Sequence, residues 1–146
     1  GALGNNSTTN QFSPVQLGTN LWKQVSGGRY FSIGIQSNGT LWSWGNSLYG
    51  QLGINTTTNT SSPTQVGTNL WSQIGAGGYH SLAIQSNGTL WSFGYNGTGQ
   101  LGTSDTTNRS SPVQIGSSIW TQVSGGYYFS FGILNRMFWR GNTFTI

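Results

Sequence analysis

Apolar and polar residues alternate along this chain in short runs, and the runs recur every 49 residues. From Tyr30 to Gln36, Phe31, Ile33 and Ile35 share one face and Ser32 and Gly34 the other, the period of two that marks a strand. Small residues on that second face leave room for a neighbouring sheet. The pattern predicts four strands in each copy. The first follows Pro14, Pro63 or Pro112, at residues 15–17, 64–66 and 113–115. Proline has no N–H to give a ladder, so it suits the head of an edge strand. The second covers residues 21–25, with counterparts ending at Ile74 and Val123, and the third is the run from Tyr30. The fourth covers residues 40–44, matched by residues 89–93. Asn38-Gly39 and Asn87-Gly88 separate strands three and four. They predict type I′ hairpin turns, in which both central residues take positive φ. No segment carries a helical period.

Larger motifs keep the same spacing. Gly1-Ala2-Leu3-Gly4 returns as Gly50-Gln51-Leu52-Gly53 and Gly99-Gln100-Leu101-Gly102, and Trp22 returns as Trp71 and Trp120. A unit of this size cannot bury its apolar face alone, and a fixed period of about 20–50 residues marks a solenoid or propeller. The expected fold is all-β, with three four-stranded antiparallel repeats of 49 residues: 1–49, 50–98 and 99–146, the last shortened. Four strands per radial unit is the arrangement of a propeller blade.

Four motifs in fixed order carry a family resemblance. They are Gly-Gly-Tyr-His-Ser-Leu-Ala-Ile at 77–84, Asn-Gly-Thr-Leu-Trp-Ser-Phe-Gly at 87–94, Gly-Gln-Leu-Gly at 99–102 and Ser-Ser-Pro-Val-Gln-Ile at 110–115. Together they resemble the RCC1-type repeat (regulator of chromosome condensation). The resemblance implies RCC1-like β-propeller blades around a central axis, in a ring of more blades than the three read here. It also implies guanine-nucleotide exchange and chromatin docking for the founding members, and other protein-interaction roles elsewhere. The polar, charge-poor style is similar to bacterial or phage variants more than to nuclear ones. The third copy departs from the pattern. It has no Asn-Gly turn, reads Leu134-Asn135-Arg136-Met137-Phe138-Trp139-Arg140-Gly141, and is two residues shorter than the first over that stretch. An even deletion keeps strand facing.

The two ends complement each other in phase. Gly1, Ala2, Leu3 and Gly4 open at a point that should follow a Trp-x-Gly-Asn strand, and Trp139, Arg140, Gly141, Asn142, Phe144 and Ile146 close just after one. Joining one copy to another recreates the repeat. The expectation is therefore self-association, or pairing with other propeller-repeat chains through strand edges and blade faces. A piece of a longer polypeptide is the even alternative.

Composition narrows the classes. Charged residues make up 4% of the chain, against about 25% in ordinary domains. Lys23, Arg29, Arg109, Arg136 and Arg140 face a single acid, Asp105, for a net charge of +4. Five scattered cations make no stripe for phosphates, so nucleic acid is not an expected partner. So little charge points to an extracellular, cell-surface or virion location. No apolar run approaches the roughly 20 residues of a membrane span, and membrane insertion is not expected.

Chemistry is sparse. His80 is the only histidine and Asp105 the only carboxylate, so a Ser/His/Asp triad would need both. His80 occupies the place of Phe31 and Phe129, which marks it as a packed filler; Asp105 sits in a Thr/Ser/Asn loop and supports a turn. Acid–base work with paired carboxylates and glycoside hydrolysis need two acids. Zinc lacks ligands. The expectation is a non-enzyme with no cofactor and no metal. Gly27-Gly28, Gly77-Gly78 and Gly125-Gly126 precede strands rather than helices, which makes tight turns of them rather than phosphate cradles.

Most aromatics, including Tyr30, Tyr79 and Tyr128, read as blade filling. Tyr49, Tyr95 and Tyr127 fall in loops beside Asn and Gly, and with Asn96 they are the candidate recognition loops. The leading expectation is a structural assembly protein, extracellular or on a virion. The alternative is a glycan- or protein-binding module, lectin-like or adhesin-like, that uses those loops. GTPase regulation rests on family analogy alone.

Overall fold

The computed structural model describes residues 1–135, and its regular elements are all strands. They are β1 (Trp22–Gly27), β2 (Phe31–Gln36), β3 (Thr40–Gly45), β4 (Thr60–Ala76), β5 (His80–Gln85), β6 (Thr89–Gly94), β7 (Arg109–Gly125) and β8 (Ser130–Leu134). Each pairs antiparallel with the next in chain order.

Two long strands link the sheets. β4 and β7 have 17 residues each, and both leave one sheet to enter another. In β4, Thr60, Thr64 and Gln65 pair with β3, whereas Trp71 to Ala76 pair with β5. In β7, Arg109, Val113 and Gln114 pair with β6, and Trp120 to Gly125 with β8. The strand segments around Pro63 and Pro112 thus complete the sheet of the preceding repeat. Two four-stranded sheets result, with two strands of a third, in an open array rather than a closed ring. Residues 15–17, expected as a strand, are irregular. Among the described residues no strand four precedes them to pair with.

The hairpin turns also differ from expectation. Gly39 and Gly88 have φ of 86° and 87°, while Asn38 and Asn87 do not enter the positive region. The Gly39 N–H donates to the Gln36 carbonyl at 2.9 Å, and Gly88 to Gln85 at 2.8 Å. This is the three-residue loop, a type I turn closed by a left-handed glycine. Asn38 is there for its side chain, whose Oδ1 accepts from the Thr40 N–H at 3.1 Å and its hydroxyl at 2.7 Å.

Between the first two sheets, Phe31, Ile33, Ile35 and Leu41 pack against Leu52, Val66, Trp71, Ile74, Ala83 and Phe93. Each buried Val, Leu, Ile or Phe among them stabilises the fold by roughly 1.5–3 kcal/mol. Leu82, Ile84, Leu90 and Val123 repeat the arrangement between the second and third sheets. The corresponding face of the third sheet is open: Ile133 is 56% exposed, against 0% for Ile35 and 1% for Ile84. Gly34 makes room for the Trp22 ring of its own sheet rather than for a neighbouring sheet, since a β-carbon there would lie 2.8 Å from the indole.

Serine hydroxyls clasp each Gly-x-Leu-Gly loop. Ser32 donates to the Ala2 carbonyl at 2.9 Å, Ser81 to Gln51 at 2.8 Å and Ser130 to Gln100 at 2.7 Å. Ala2 also accepts from the Trp44 indole at 2.8 Å, and Gly4 lies against that ring. Gly1, Ala2 and Gly4 are therefore held by their own first sheet. Leu3 is exposed, where Leu52 and Leu101 are buried. Trp139, Arg140, Gly141, Asn142, Phe144 and Ile146 lie outside the described residues.

Candidate functional site

The innermost strands β1, β4 and β7 run side by side. The Gln24 amide donates to the Ile74 carbonyl at 2.9 Å and accepts from its N–H at 3.1 Å, and the Ala76 N–H reaches the Ser26 hydroxyl at 3.0 Å. The turns that leave these strands consequently meet at one end. The Arg29 N–H donates to the Gly78 carbonyl at 3.1 Å, and the Gly78 N–H to Gly126 at 3.2 Å. The loops after β3 and β6 fold back onto the same end, with Asn46 N–H on Tyr30 and Tyr95 N–H on Tyr79, both at 2.9 Å.

This geometry gathers a cluster of tyrosines around one cation. Rings pack between Tyr49 and Tyr95 at 4.9 Å, Tyr49 and Tyr79 at 5.5 Å, Tyr79 and Tyr127 at 5.6 Å, and Tyr127 and Tyr128 at 4.5 Å. The Arg29 guanidinium carbon lies 4.9 Å from the Tyr30 ring centre, 5.6 Å from Tyr79 and 5.7 Å from Tyr127. Such contacts attract a cation to the face of the ring. Arg29 Nη1 donates to the hydroxyls of both Tyr79 and Tyr127. The Tyr127 hydroxyl donates in turn to Tyr79 at 3.3 Å, and this bond with partial burial holds the Tyr79 phenol above its ordinary pKa. The cluster sets one guanidinium charge among tyrosine rings. Arg29, Tyr30, Tyr127 and Tyr128 are exposed, and Tyr49, Tyr79 and Tyr95 half-buried. Position 78 is glycine because the Tyr127 backbone and ring cover it; a β-carbon would lie 2.7 Å from the Tyr127 carbonyl oxygen.

Three of the four expected recognition residues, Tyr49, Tyr95 and Tyr127, come together here. Asn96 does not. It is fully buried, and its amide donates to the Thr103 hydroxyl at 3.0 Å, the Asp105 carbonyl at 2.8 Å and the Asp105 carboxylate at 3.0 Å. Its Oδ1 accepts from the Leu101 N–H at 2.9 Å. Asn96 shapes its loop and presents nothing to solvent. Arg29, Tyr30, Tyr79 and Tyr128 are not among the expected recognition residues; the three tyrosines, expected as blade filling, lie exposed or half-buried at this end because the turns that carry them converge here.

The titratable candidates for chemistry lie apart from one another. His80 Nε2 meets the Ser130 hydroxyl at 2.9 Å. That hydroxyl donates to Gln100, so it accepts from His80 and fixes the proton on Nε2. Burial lowers the His80 pKa to about 4, so the ring is neutral. Asp105 accepts from the Thr107 N–H at 2.9 Å and the Thr103 hydroxyl at 3.0 Å, and pairs with Arg109 at 2.5 Å. The Thr107 N–H leads in holding its carboxyl below the usual value. No group of three or more metal-ligating side chains exists among the described residues.

The regulator of chromosome condensation (RCC1) repeat model matches residues 38–84 and 87–133, and a second model of the same repeat matches 22–51 and 71–100. Among solved structures, human WBSCR16 is similar at 26% identity over 75% of this chain and 29% of that one, with a TM-score of 0.68. Prp20p of Saccharomyces cerevisiae, solved together with its binding properties to Gsp1p and histones, is similar at 18% identity over 84% of this chain and 33% of that one, TM-score 0.73. Yeast RCC1 (Prp20) bound to Kap60 gives 18%, 90%, 36% and 0.75 in the same terms. The chain spans about a third of the length of these proteins. Comparison with curated protein sequences finds no match.

These findings correct the leading expectation. A relative that binds Gsp1p and histones, and is solved with Kap60, stands against an extracellular, cell-surface or virion address and against a purely structural assembly role.

Proposed function

The chain belongs to the regulator of chromosome condensation (RCC1) repeat family, and on that premise we propose that it is a protein-recognition module. Its contact surface is the tyrosine cluster around Arg29, at the end of the fold where the turns of all three sheets meet. The observation that carries this reading is the convergence of Arg29, Tyr30, Tyr49, Tyr79, Tyr95, Tyr127 and Tyr128 from five separate loops into one partly exposed patch. Tyr and Arg dominate the energetics of protein interfaces because they offer large, rigid area with a polar tip. The partners of the yeast relative are proteins, which favours a protein ligand over a glycan.

The units 1–49, 50–98 and 99–146 serve as successive blades, with the strand segments around Pro63 and Pro112 exchanged to the blade before. The exposed Phe129, Phe131 and Ile133 face fits a further blade of the same kind, as Phe31, Ile33 and Ile35 fit the second sheet. The bacterial or phage-like style rests on composition alone.

A random peptide library panned on the immobilised chain tests the reading, with a Tyr79→Ala/Tyr127→Ala variant as comparison. Binders enriched on the chain and lost on an equally folded variant are expected. Binders retained by the variant would place recognition elsewhere.

A further inference from the structure

We propose that the Arg29 cluster selects an acidic peptide, gripping a carboxylate in the free fork of the guanidinium while the surrounding tyrosines cover the adjoining backbone. This rests on the recognition surface proposed above and names the chemistry it takes. A guanidinium carries five N–H donors. Nη1 makes both hydrogen bonds to Tyr79 and Tyr127, the Tyr30 phenol is a further neighbour of the guanidinium, and no carboxylate among the described residues bonds to Nη2 or Nε. Three aromatic rings hold the plane in place, so the open edge is already oriented. A planar fork matches a carboxylate with two parallel bonds, and pre-orientation reduces the entropy lost on binding.

Among the described residues no carboxylate meets that fork. The single acid of the chain, Asp105, is engaged by Arg109, Asn96, Thr103 and Thr107. An exposed cation held in a ring of phenols, on a chain with net charge +4, is complementary to an acidic segment and repels a basic one. A nucleic acid fits less well. Lys23, Arg29 and Arg109 are the described cations and form no track for successive phosphates.

The repeat itself isolates the feature. Positions 30, 79 and 128 are tyrosine in all three units and make the platform, whereas 29, 78 and 127 are Arg, Gly and Tyr. Only the first unit supplies a cation. Its neighbours supply the gap and the ring that orient it.

The experiment is fluorescence polarisation with a labelled peptide of alternating Glu and Tyr, its Gln-for-Glu counterpart, and a labelled single-stranded oligonucleotide. Four proteins are compared: the chain, Arg29→Gln, Arg29→Lys and Lys23→Gln, each checked for an unchanged melt. Lys23→Gln removes the same charge from exposed β1, so it separates a specific grip from general attraction. The Glu peptide is expected to bind, and to weaken about tenfold or more for both Arg29→Gln and Arg29→Lys, since a Lys cannot form the fork. Lys23→Gln is expected to stay within about twofold, and the Gln peptide to bind as weakly as Arg29→Gln binds the Glu peptide. Equal loss in Lys23→Gln and Arg29→Gln, equal binding of the two peptides, or stronger Arg29-dependent binding of the oligonucleotide would each overturn the proposal. Library binders that need Tyr79 and Tyr127 but ignore Arg29 would overturn the acidic preference and leave the recognition surface standing. Library binders indifferent to the tyrosines would overturn both.

Discussion

The imidazole of His80 lies against the backbone of Gly77, so close that a β-carbon on Gly77 would fall 2.1 Å from Cε1 of the ring. Phe31 on Gly28 and Phe129 on Gly126 repeat the contact at 2.0 Å. In each turn the glycine N–H also donates to the carbonyl of that aromatic residue, at 2.8–2.9 Å. These three glycines are not at positive φ; they are required by the ring that sits on them.

Gly77→Ala is therefore expected to destabilise the fold by about 2–3 kcal/mol, by forcing the His80 ring out of its slot. Gly27→Ala, where nothing lies within 4 Å, should stay within about 0.5 kcal/mol of the parent or gain slightly. Urea midpoints of the two variants check the contrast.

His80 makes stability depend on pH. Its folded pKa, about 4, lies below the unfolded value near 6.5. The unfolded chain binds the proton first as pH falls, so stability drops between about pH 6.5 and pH 4, by roughly 3 kcal/mol in all. Asp105 is the only side-chain acid, and its carboxyl is also held low, so its contribution is lost only at more acid pH. His80→Phe, which copies the neighbouring repeats, should flatten the slope between pH 6.5 and pH 4.5. Denaturation at four pH values reads it directly.

Three equivalent isoleucines report how far the sheets are covered. Ile35→Ala and Ile84→Ala should each cost about 2–5 kcal/mol, as buried isoleucines do. Ile133→Ala, on the open face of the third sheet, should cost less than about 1 kcal/mol. Equal losses at all three positions would mean that the third face is covered in solution.

Asn96 holds its loop from inside. Asn96→Ala leaves the Leu101 N–H and the Thr103 and Asp105 acceptors without their partner, and is expected to cost about 2–3 kcal/mol. Amide exchange at Leu101 should quicken before exchange in β5 or β6. The tyrosine cluster should keep its ligands at temperatures below the lowered melt.

Much of this was legible in the sequence. Alternation at Phe31, Ile33 and Ile35 predicts both the strand and the buried face, because a pleated strand separates its side chains without regard to tertiary context. The Phe31, His80 and Phe129 column marks His80 as a filler, and its burial bears that out. The sheet to which residues 64–66 belong was not legible, since local pattern does not say which neighbour a strand pairs with. The Asn-Gly dipeptide does not fix the turn type, because it serves both a two-residue and a three-residue loop. Asn96 resembled an exposed loop amide, yet its loop closes over it. Arg29 looked like one of five scattered cations. The available signal was the repeat: equivalent positions meet near the axis, so the Arg, Gly and Tyr column at 29, 78 and 127 becomes one surface.

The most direct test of the recognition surface is a map of amide shifts in the labelled chain, titrated with a peptide selected from the random library. Shifts confined to residues 28–30, 46–49, 78–79, 95 and 126–128 are predicted. Shifts centred on the Phe129, Phe131 and Ile133 face, or on the loop around Asp105, would contradict the account.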